Sequence, residues 1–420
     1  MFERSVVERV KSCYREGEKT LLAFSGGPDS TFLFYLLLEI KKHNYIDFQF
    51  FYLNHMSRKE AFDEEEYALS LSRSFGIKLH INRFDVTSYA KDKKVSFEEA
   101  GRIIRYRFLN EIVEKEGLNS ITTAHILNDN IENFFLRLFK GSGLSGLCGM
   151  RFKENNIVRP ILFLEKDYII KFLDDHSIKY FIDKSNLDDK YERNRIRNNI
   201  LPIVKHYFPY FKIKLLEIQD ILRETKEFID KNTVTFNKGY NEVYIDVKKL
   251  LGLDDVIIKN SIINALKSLC KDYYISYNNL LTVLSFLKKW DFKGHKILVK
   301  TGDYSIILSY DKFFIVDKDF LVFSDEFTIE KGEAKKILNL KIKNNTGEKL
   351  FFLKPKSGQK VIINGIRKKV QDFLVDNKIH YHHRKNVFLI YKGPDFIGFL
   401  IPTLEYYSVF DSVVIEKINN

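Results

Sequence analysis

The sequence predicts an α/β protein: a doubly wound parallel sheet, then a helix-rich domain, then a small β-rich C-terminal domain. Three observations lead there. Short apolar strands alternate with amphipathic helices through the first 210 residues or so. Past Pro209 helical periodicity takes over. From about residue 293 strand-like alternation replaces it. The domain ranges expected are 1–210, 211–320 and 321–420, and a chain of 420 residues is long for a single core.

Taken in order, an opening amphipathic helix precedes TLLAFS, a buried strand that runs into SGGPDS, and the apolar run behind that loop reads as a helix. DFQFFYLN is the next strand, AFDEEEYALSLSRSFG a helix ending near Gly76, and IKLHINRF a third strand. A long helix starts at Ser96, whose side chain can cap it while Glu99 closes a capping box, and it runs to about Gly117. SITTAH is a strand and NDNIENFFLRLF the helix behind it. Ligands of such a sheet sit beyond the carboxyl ends of its strands. Further on, KIKLLEIQDILRETKEFIDKN, IIKNSIINALKSLC and NNLLTVLSFLKKW read as helices. KILVK, YSIILSY, KFFIVD and LVFSDEFTIE read as strands, with one clear helix at IRKKVQDFLVDNK.

Hydrophobic residues make up 45% of the chain and charged residues 30%, a globular balance that excludes a disordered protein. The apolar runs fall short of a membrane span and the N-terminus lacks a signal-peptide pattern, so a cytoplasmic protein is expected. Cys13, Cys148 and Cys270 are scattered, without a C-x-x-C pair, and read as buried, unreactive thiols. A net charge of +12 attracts polyanions and makes nucleic acid a natural partner, although Lys-rich composition throughout the chain accounts for the charge equally well.

Gly26 and Gly27 let backbone N–H groups approach a polyanion at a helix N-terminus. Ser25 and Ser30 add hydroxyls, Pro28 fixes the turn, and Asp29 supplies a carboxylate for Mg²⁺. The loop lacks the lysine of a Walker motif, which disfavours kinase or motor chemistry. Asn54, His55 and Arg58 follow the second strand and by topology lie beside the loop, where they could hold the nucleotide. His125, Asp129 and Glu132 at i, i+4 and i+7 share one helix face that could position an amine; a solvated polar face is the bland alternative. Glu98, Arg102 and Arg105 have similar spacing and read alone as a salt-bridged stripe. His380, His382 and His383, beside Arg384, read as a basic, solvent-facing strand or turn rather than a metal site.

In combination, SGGPDS, LNHMSR, FEEAGRIIRYRFL, TAHILNDNIENFFLRLFKGSGLSGLCGM and DKSNLDDKYERNRIRNNILP resemble the tRNA(Ile)-lysidine synthetases, a family of N-type ATP pyrophosphatases with the PP-loop, adenine nucleotide alpha hydrolase-like fold. RNRIRNNILP, from Arg193 to Pro202, is the most specific segment. The resemblance implies an enzyme that activates C2 of the wobble cytidine of an isoleucine tRNA with a CAU anticodon, using ATP and Mg²⁺, and then joins free lysine there, releasing AMP and pyrophosphate. It implies that Ser25 to Ser30 bind the ATP phosphates, that Asp29 helps hold Mg²⁺, that Arg105 and His125 act near the adenylated cytidine, and that Asp129 and Glu132 hold lysine. Arg193 is expected to help neutralise the leaving phosphate; Arg195 and Arg197 could grip tRNA phosphates or tie their segment to the sheet. The chain departs from the family at Ile126, Asn128 and Asn130, where many members carry histidine, aspartate and glutamine. Its C-terminal match, KPKSGQKVIINGIRKKVQDFLVDNKIHYHHRKNVFLIYKG, is looser and lacks the usual prolines. The sequence leaves the oligomeric state open, a homodimer included.

Sulfur-inserting tRNA enzymes share the expected fold but generally need catalytic cysteines, which the three here do not provide. Amidating relatives such as GMP or NAD synthetases often add a glutaminase, for which no nucleophile motif is present. A tRNA-binding protein with a degenerate nucleotide loop is the rival from another class, and the intact Ser25 to Ser30 loop argues against it.

Overall fold

The computed structural model describes residues 2–56, 60–182, 192–269, 275–318, 320, 325–363, 365–404, 406–409 and 413–417. The chain forms two compact units, Met1–Lys226 and Glu227–Asn420.

In the first unit, helix α1 (Arg4–Lys11) leads into β1 (Glu18–Phe24), α2 (Pro28–Lys42), β2 (Ile46–Asn54), α3 (Glu60–Phe75), β3 (Leu79–Arg83), α4 (Val86–Lys93), α5 (Phe97–Glu116), β4 (Ser120–Thr123) and α6 (Leu127–Phe139). There follow α7 (Leu144–Leu147), β5 (Lys153–Glu154), β6 (Ile157–Val158), α8 (Lys166–Asp175), α9 (Glu192–Arg195), a π-helical turn (Ile196–Ile200), α10 (Leu201–Tyr207) and α11 (Phe211–Asn232), whose last residues belong to the second unit. The sheet order is β3-β2-β1-β4-β6-β5, parallel except for β5. Strand alternation divides the core. Leu22, Phe24, Phe48 and Phe50 pack with α1, α2, α3 and α8, while Leu21, Phe51, Leu53 and Ile121 face Ile104 and Leu109 of α5.

The expected cap of α5 forms at Ser96, while the Glu99 carboxylate, expected to close a capping box, accepts from Arg102 instead. Ser96 Oγ accepts the Glu99 N–H at 3.2 Å, and Gly117 ends α5 in the left-handed region at φ 62°. The winding reverses between β1 and β4, whose registers pair Ala23 with Thr123. The segments that leave these two strands therefore start side by side at one sheet edge, the crevice where open α/β sheets bind ligands.

In the second unit, α12 (Asp255–Leu269) and α13 (Tyr277–Leu287) match the expected helices. They pack on a five-stranded antiparallel sheet that includes β7 (Asn237–Gly239) and β8 (Glu242–Asp246), two strands the sequence reading did not anticipate. Their hairpin turns at Asn241, which takes φ 48°, as asparagine tolerates. The remaining residues build sheets of five, three and two strands. IRKK, expected to begin a helix, is instead the strand Ile366–Lys369 paired with Lys360–Ile363, and the helix covers only Val370–Asp376.

His382 and His383 are buried rather than solvent-facing, because the 3-10 turn Tyr381–Asn386 folds beneath aromatic rings. Cys148 is buried, and Cys13 is partly covered with its thiol pKa raised by burial; Cys270 lies outside the described residues. Among the described residues no helix is long and apolar enough to cross a membrane.

Candidate active site

Ser25, Gly26 and Gly27 join β1 to α2. Gly26 takes φ +75°, where a side chain would be strained, and its carbonyl accepts the Phe181 N–H at 2.9 Å. Gly27 is the extended N-cap, and Pro28 occupies the first helical position, where an N–H would have no intrahelical partner. Ser25 Oγ and Ser30 Oγ lie 3.1 Å apart, and Ser30 Oγ donates to Gly27 O at 3.0 Å. The loop thus sets glycine backbone and two hydroxyls at the positive end of a 15-residue helix, an arrangement that attracts phosphate.

Asp29, in the first turn of α2, meets a residue that sequence reasoning missed. Lys166 Nζ lies 2.8 Å from each of its carboxylate oxygens. Burial pushes the Asp29 pKa up, Lys166 opposes that shift, and Asp129 and Arg197 contribute more weakly. Asn128 explains the position of Lys166: its Oδ1 accepts the Lys166 backbone N–H at 3.0 Å, satisfying one of the open donors at the start of α8.

His125 leaves β4 but does not share a helix face with Asp129 and Glu132 as expected. Ile126 is extended (φ −117°, ψ 175°) and α6 begins only at Leu127. The cause is Asp129, whose Oδ2 accepts the Ile126 N–H at 2.9 Å and so fixes Ile126 as the cap; isoleucine has no acceptor for the reciprocal half of a capping box. His125 Nδ1 is 2.8 Å from Thr123 Oγ1. Burial lowers the His125 pKa to about 4, against the pull of Asp129, while Arg159, Arg193 and Arg105 push the same way as burial. Arg105, on α5, has its own pKa lowered by burial, and no carboxylate among the described residues pairs with it.

Glu132 is 1% exposed, and guanidinium groups occupy both its oxygens. Arg197 donates from Nε to Oε1 at 2.6 Å and from Nη2 to Oε2 at 2.8 Å, and Arg193 Nε donates to Oε2 at 3.0 Å. Glu132 therefore holds two guanidinium groups and is closed to solvent in this structure, whereas Asp129, its expected partner in holding lysine, is 21% exposed. Arg193 also approaches Asp129 Oδ1 at 3.5 Å and Glu98 at 3.9 Å. Arg197 therefore ties the RNRIRNNILP segment to α6, whereas Arg195 is exposed. Arg102 pairs with Glu99 on the surface, as a salt-bridged stripe would.

Asn54 is buried and holds its own loop, donating to Glu65 at 2.8 Å and accepting the Met56 N–H at 2.9 Å, so its side chain is not available to a nucleotide. His55 packs on α5 where Gly101 makes room: a Cβ there would lie 3.1 Å from the imidazole. Arg58 lies outside the described residues. Arg159, just past β6, is a second residue the sequence reading missed; it is buried, and its Nε has no hydrogen-bond partner among the described residues. Its position after a parallel strand at the same sheet edge was the available signal.

Residues 1–204 match the family profile described as a PP-loop domain. The tRNA(Ile)-lysidine synthase of Persephonella marina is 27% identical over 425 aligned positions, covering 94% of this chain and 93% of that protein. That of Clostridioides difficile is 27% identical over 90% of this chain and 89% of its own length. That of Thermosipho africanus reaches 38% identity over 56% of this chain and 55% of its own. Residues 1–204 thus carry the features of a PP-loop domain, and the likeness to tRNA(Ile)-lysidine synthases continues well beyond residue 204.

Proposed function

We propose that the protein joins lysine to C2 of the wobble cytidine in the CAU anticodon of an isoleucine tRNA through an adenylated intermediate, converting ATP to AMP and pyrophosphate and switching the codon read from AUG to AUA. The observation that carries this reading is the meeting of the phosphate loop, His125 and Asp129 where the sheet reverses its winding, in a chain aligned almost end to end with lysidine synthases.

In the first half-reaction the C2 oxygen attacks the α-phosphorus and pyrophosphate departs. Ser25 to Ser30 hold the phosphates, and Arg105 and Arg193 face the developing negative charge, where preorganised cations act most strongly. Asp29 fits a Mg²⁺ carrier, being a carboxylate beside the phosphate loop that already attracts a cation. Mg²⁺, when bound, neutralises phosphate charge. In the second half-reaction the lysine ε-amine attacks C2, the C2–O bond breaks and AMP leaves. Free lysine arrives protonated, its amine having a pKa of about 10.4, so it needs an anion to bind and a base to release its lone pair. Asp129, 21% exposed, is the available carboxylate both to hold the ammonium and to take its proton, with the neutral His125 imidazole beside it.

One pocket for one base offers little affinity. The residues after about 210 then supply most of the tRNA binding that offsets unstacking of the target cytidine. The substrates place the reaction in the cytoplasm.

The test is incubation with the CAU-anticodon isoleucine tRNA, ATP, Mg²⁺ and labelled lysine, followed by nucleoside analysis. Lysidine with stoichiometric AMP supports the proposal. Tight tRNA binding without lysine-dependent AMP overturns it in favour of a binding protein.

A further inference from the structure

Far along the chain from these catalytic residues, the second unit contains a buried polar cluster that the reaction does not use. Glu242 opens β8, and His382 and His383 sit on the 3-10 turn 140 residues further along, all three at 8% exposure or less. Glu242 Oε2 is 2.7 Å from His382 Nε2, and Glu242 Oε1 is 3.2 Å from His383 Nε2. The second contact is out of line for a hydrogen bond, so His383 Nε2 is a buried nitrogen beside a carboxylate without a hydrogen-bond partner among the described residues. On its other side His383 Nδ1 lies 2.8 Å from Thr403 Oγ1. Such an outer contact fixes the tautomer of a metal-binding imidazole and turns the Nε2 lone pair inward.

We propose that Glu242, His382 and His383 bind one divalent ion of the zinc class, which ties β8 to the C-terminal turn. Two imidazoles and a carboxylate are the donor set that suits Zn²⁺, whereas Ca²⁺ and Mg²⁺ prefer oxygen alone. The ligand atoms lie within 4.8 Å of one another. Tetrahedral bonds of about 2.0–2.1 Å space ligands roughly 3.4 Å apart, so side-chain movements on the order of an ångström or less admit the ion. Phe314, 4.6 Å from the His382 ring, and Phe320, 5.3 Å from both imidazoles, form an apolar wall that makes unpaired polar atoms costly and a bound cation correspondingly effective.

The full chain is stripped with a chelator, then titrated with Co²⁺ while the visible ligand-field absorption of a tetrahedral site is followed. The expected result is saturation at one equivalent, displacement by Zn²⁺, and loss of the band in both Glu242→Gln and His383→Gln. Because a substituted core position could impair folding, the unsubstituted chain supplies a second readout: Zn²⁺ raises its melting temperature and chelator returns it. A chain that shows no band and no zinc-dependent melting shift overturns the proposal, as does a band that persists in both variants; the cluster is then a hydrogen-bonded knot.

Discussion

Lys166 places its Nζ 2.8 Å from both carboxylate oxygens of Asp29, so the head of the phosphate loop carries a paired cation supplied from α8. Asp29→Asn keeps the shape and removes the charge. We expect AMP formation to fall by at least ~100-fold, about 2.7 kcal/mol of barrier, with tRNA affinity nearly unchanged because phosphate contacts are spread over a broad surface. Pyrophosphate release and filter binding measure the two; a normal rate of release removes Asp29 from the mechanism.

Lys166→Met leaves the Asp29 carboxylate buried without its main counter-charge. Burial already raises the Asp29 pKa and Lys166 restrains it, so the acid limb of the adenylation rate should move to higher pH in this variant. Superimposable pH profiles for variant and parent would show that Lys166 does not set the state of Asp29.

Glu132 and Asp129 should separate sharply. Glu132→Gln strips two guanidinium groups of their shared anion and should cost about 3 kcal/mol of stability, with both half-reactions falling together at every lysine concentration. Asp129→Asn keeps an amide oxygen to accept the Ile126 N–H, so the fold should hold while the lysine requirement rises and adenylated tRNA still forms. Single-turnover assays that score adenylated tRNA and lysidine separately decide this. Rescue of Glu132→Gln by high lysine would return that residue to the lysine site.

His125 titrates far below its ordinary value of 6.5, at about 4, because burial disfavours the imidazolium. Between about pH 6 and 8 it stays neutral and should put no limb on the rate. The unfolded chain binds this proton more readily, so its contribution to stability is complete above pH 6.5 and is lost as pH falls toward 4. Urea midpoints at both ends of that window should therefore differ less in His125→Gln than in the parent. An equal loss in both would place the acid sensitivity elsewhere.

Gly26→Ala and Gly27→Ala test the loop. A Cβ on Gly26 meets only ordinary contacts at 3.5–3.6 Å, so its penalty is the backbone at φ +75°, about 1–2 kcal/mol. Gly27 has an extended backbone at φ −72° and no contact under 3.4 Å. Thermal melting should show Gly26→Ala as the less stable of the two, and the ATP KM should rise with it. Equal melting temperatures would mean that the loop relaxes out of the left-handed region.

Local pattern was enough for the alternating strands and helices of the first unit, the caps of α5 and the phosphate loop, because each depends on neighbours a few residues apart. The same logic failed at IRKK, where pairing with Lys360–Ile363 overrides helical spacing, and at His125, where the Asp129 side chain caps Ile126 and the helix starts only at Leu127. The closeness of the phosphate loop and His125 was not read from the sequence; it follows from the strand order, since both segments leave strands at the point of reversal.

The sequence by itself determined the fold class, the nucleotide loop and the resemblance to the tRNA(Ile)-lysidine synthetases, all of them written in short contiguous motifs and their order. Only the tertiary structure decided which charges meet. Lys166 reaches Asp29 across 137 residues, Arg197 reaches Glu132 across 65, and His382 reaches Glu242 across 140. A charged side chain reads the same in sequence whether it is solvated, paired or waiting for substrate; its role follows from the partner and the burial that folding assigns to it.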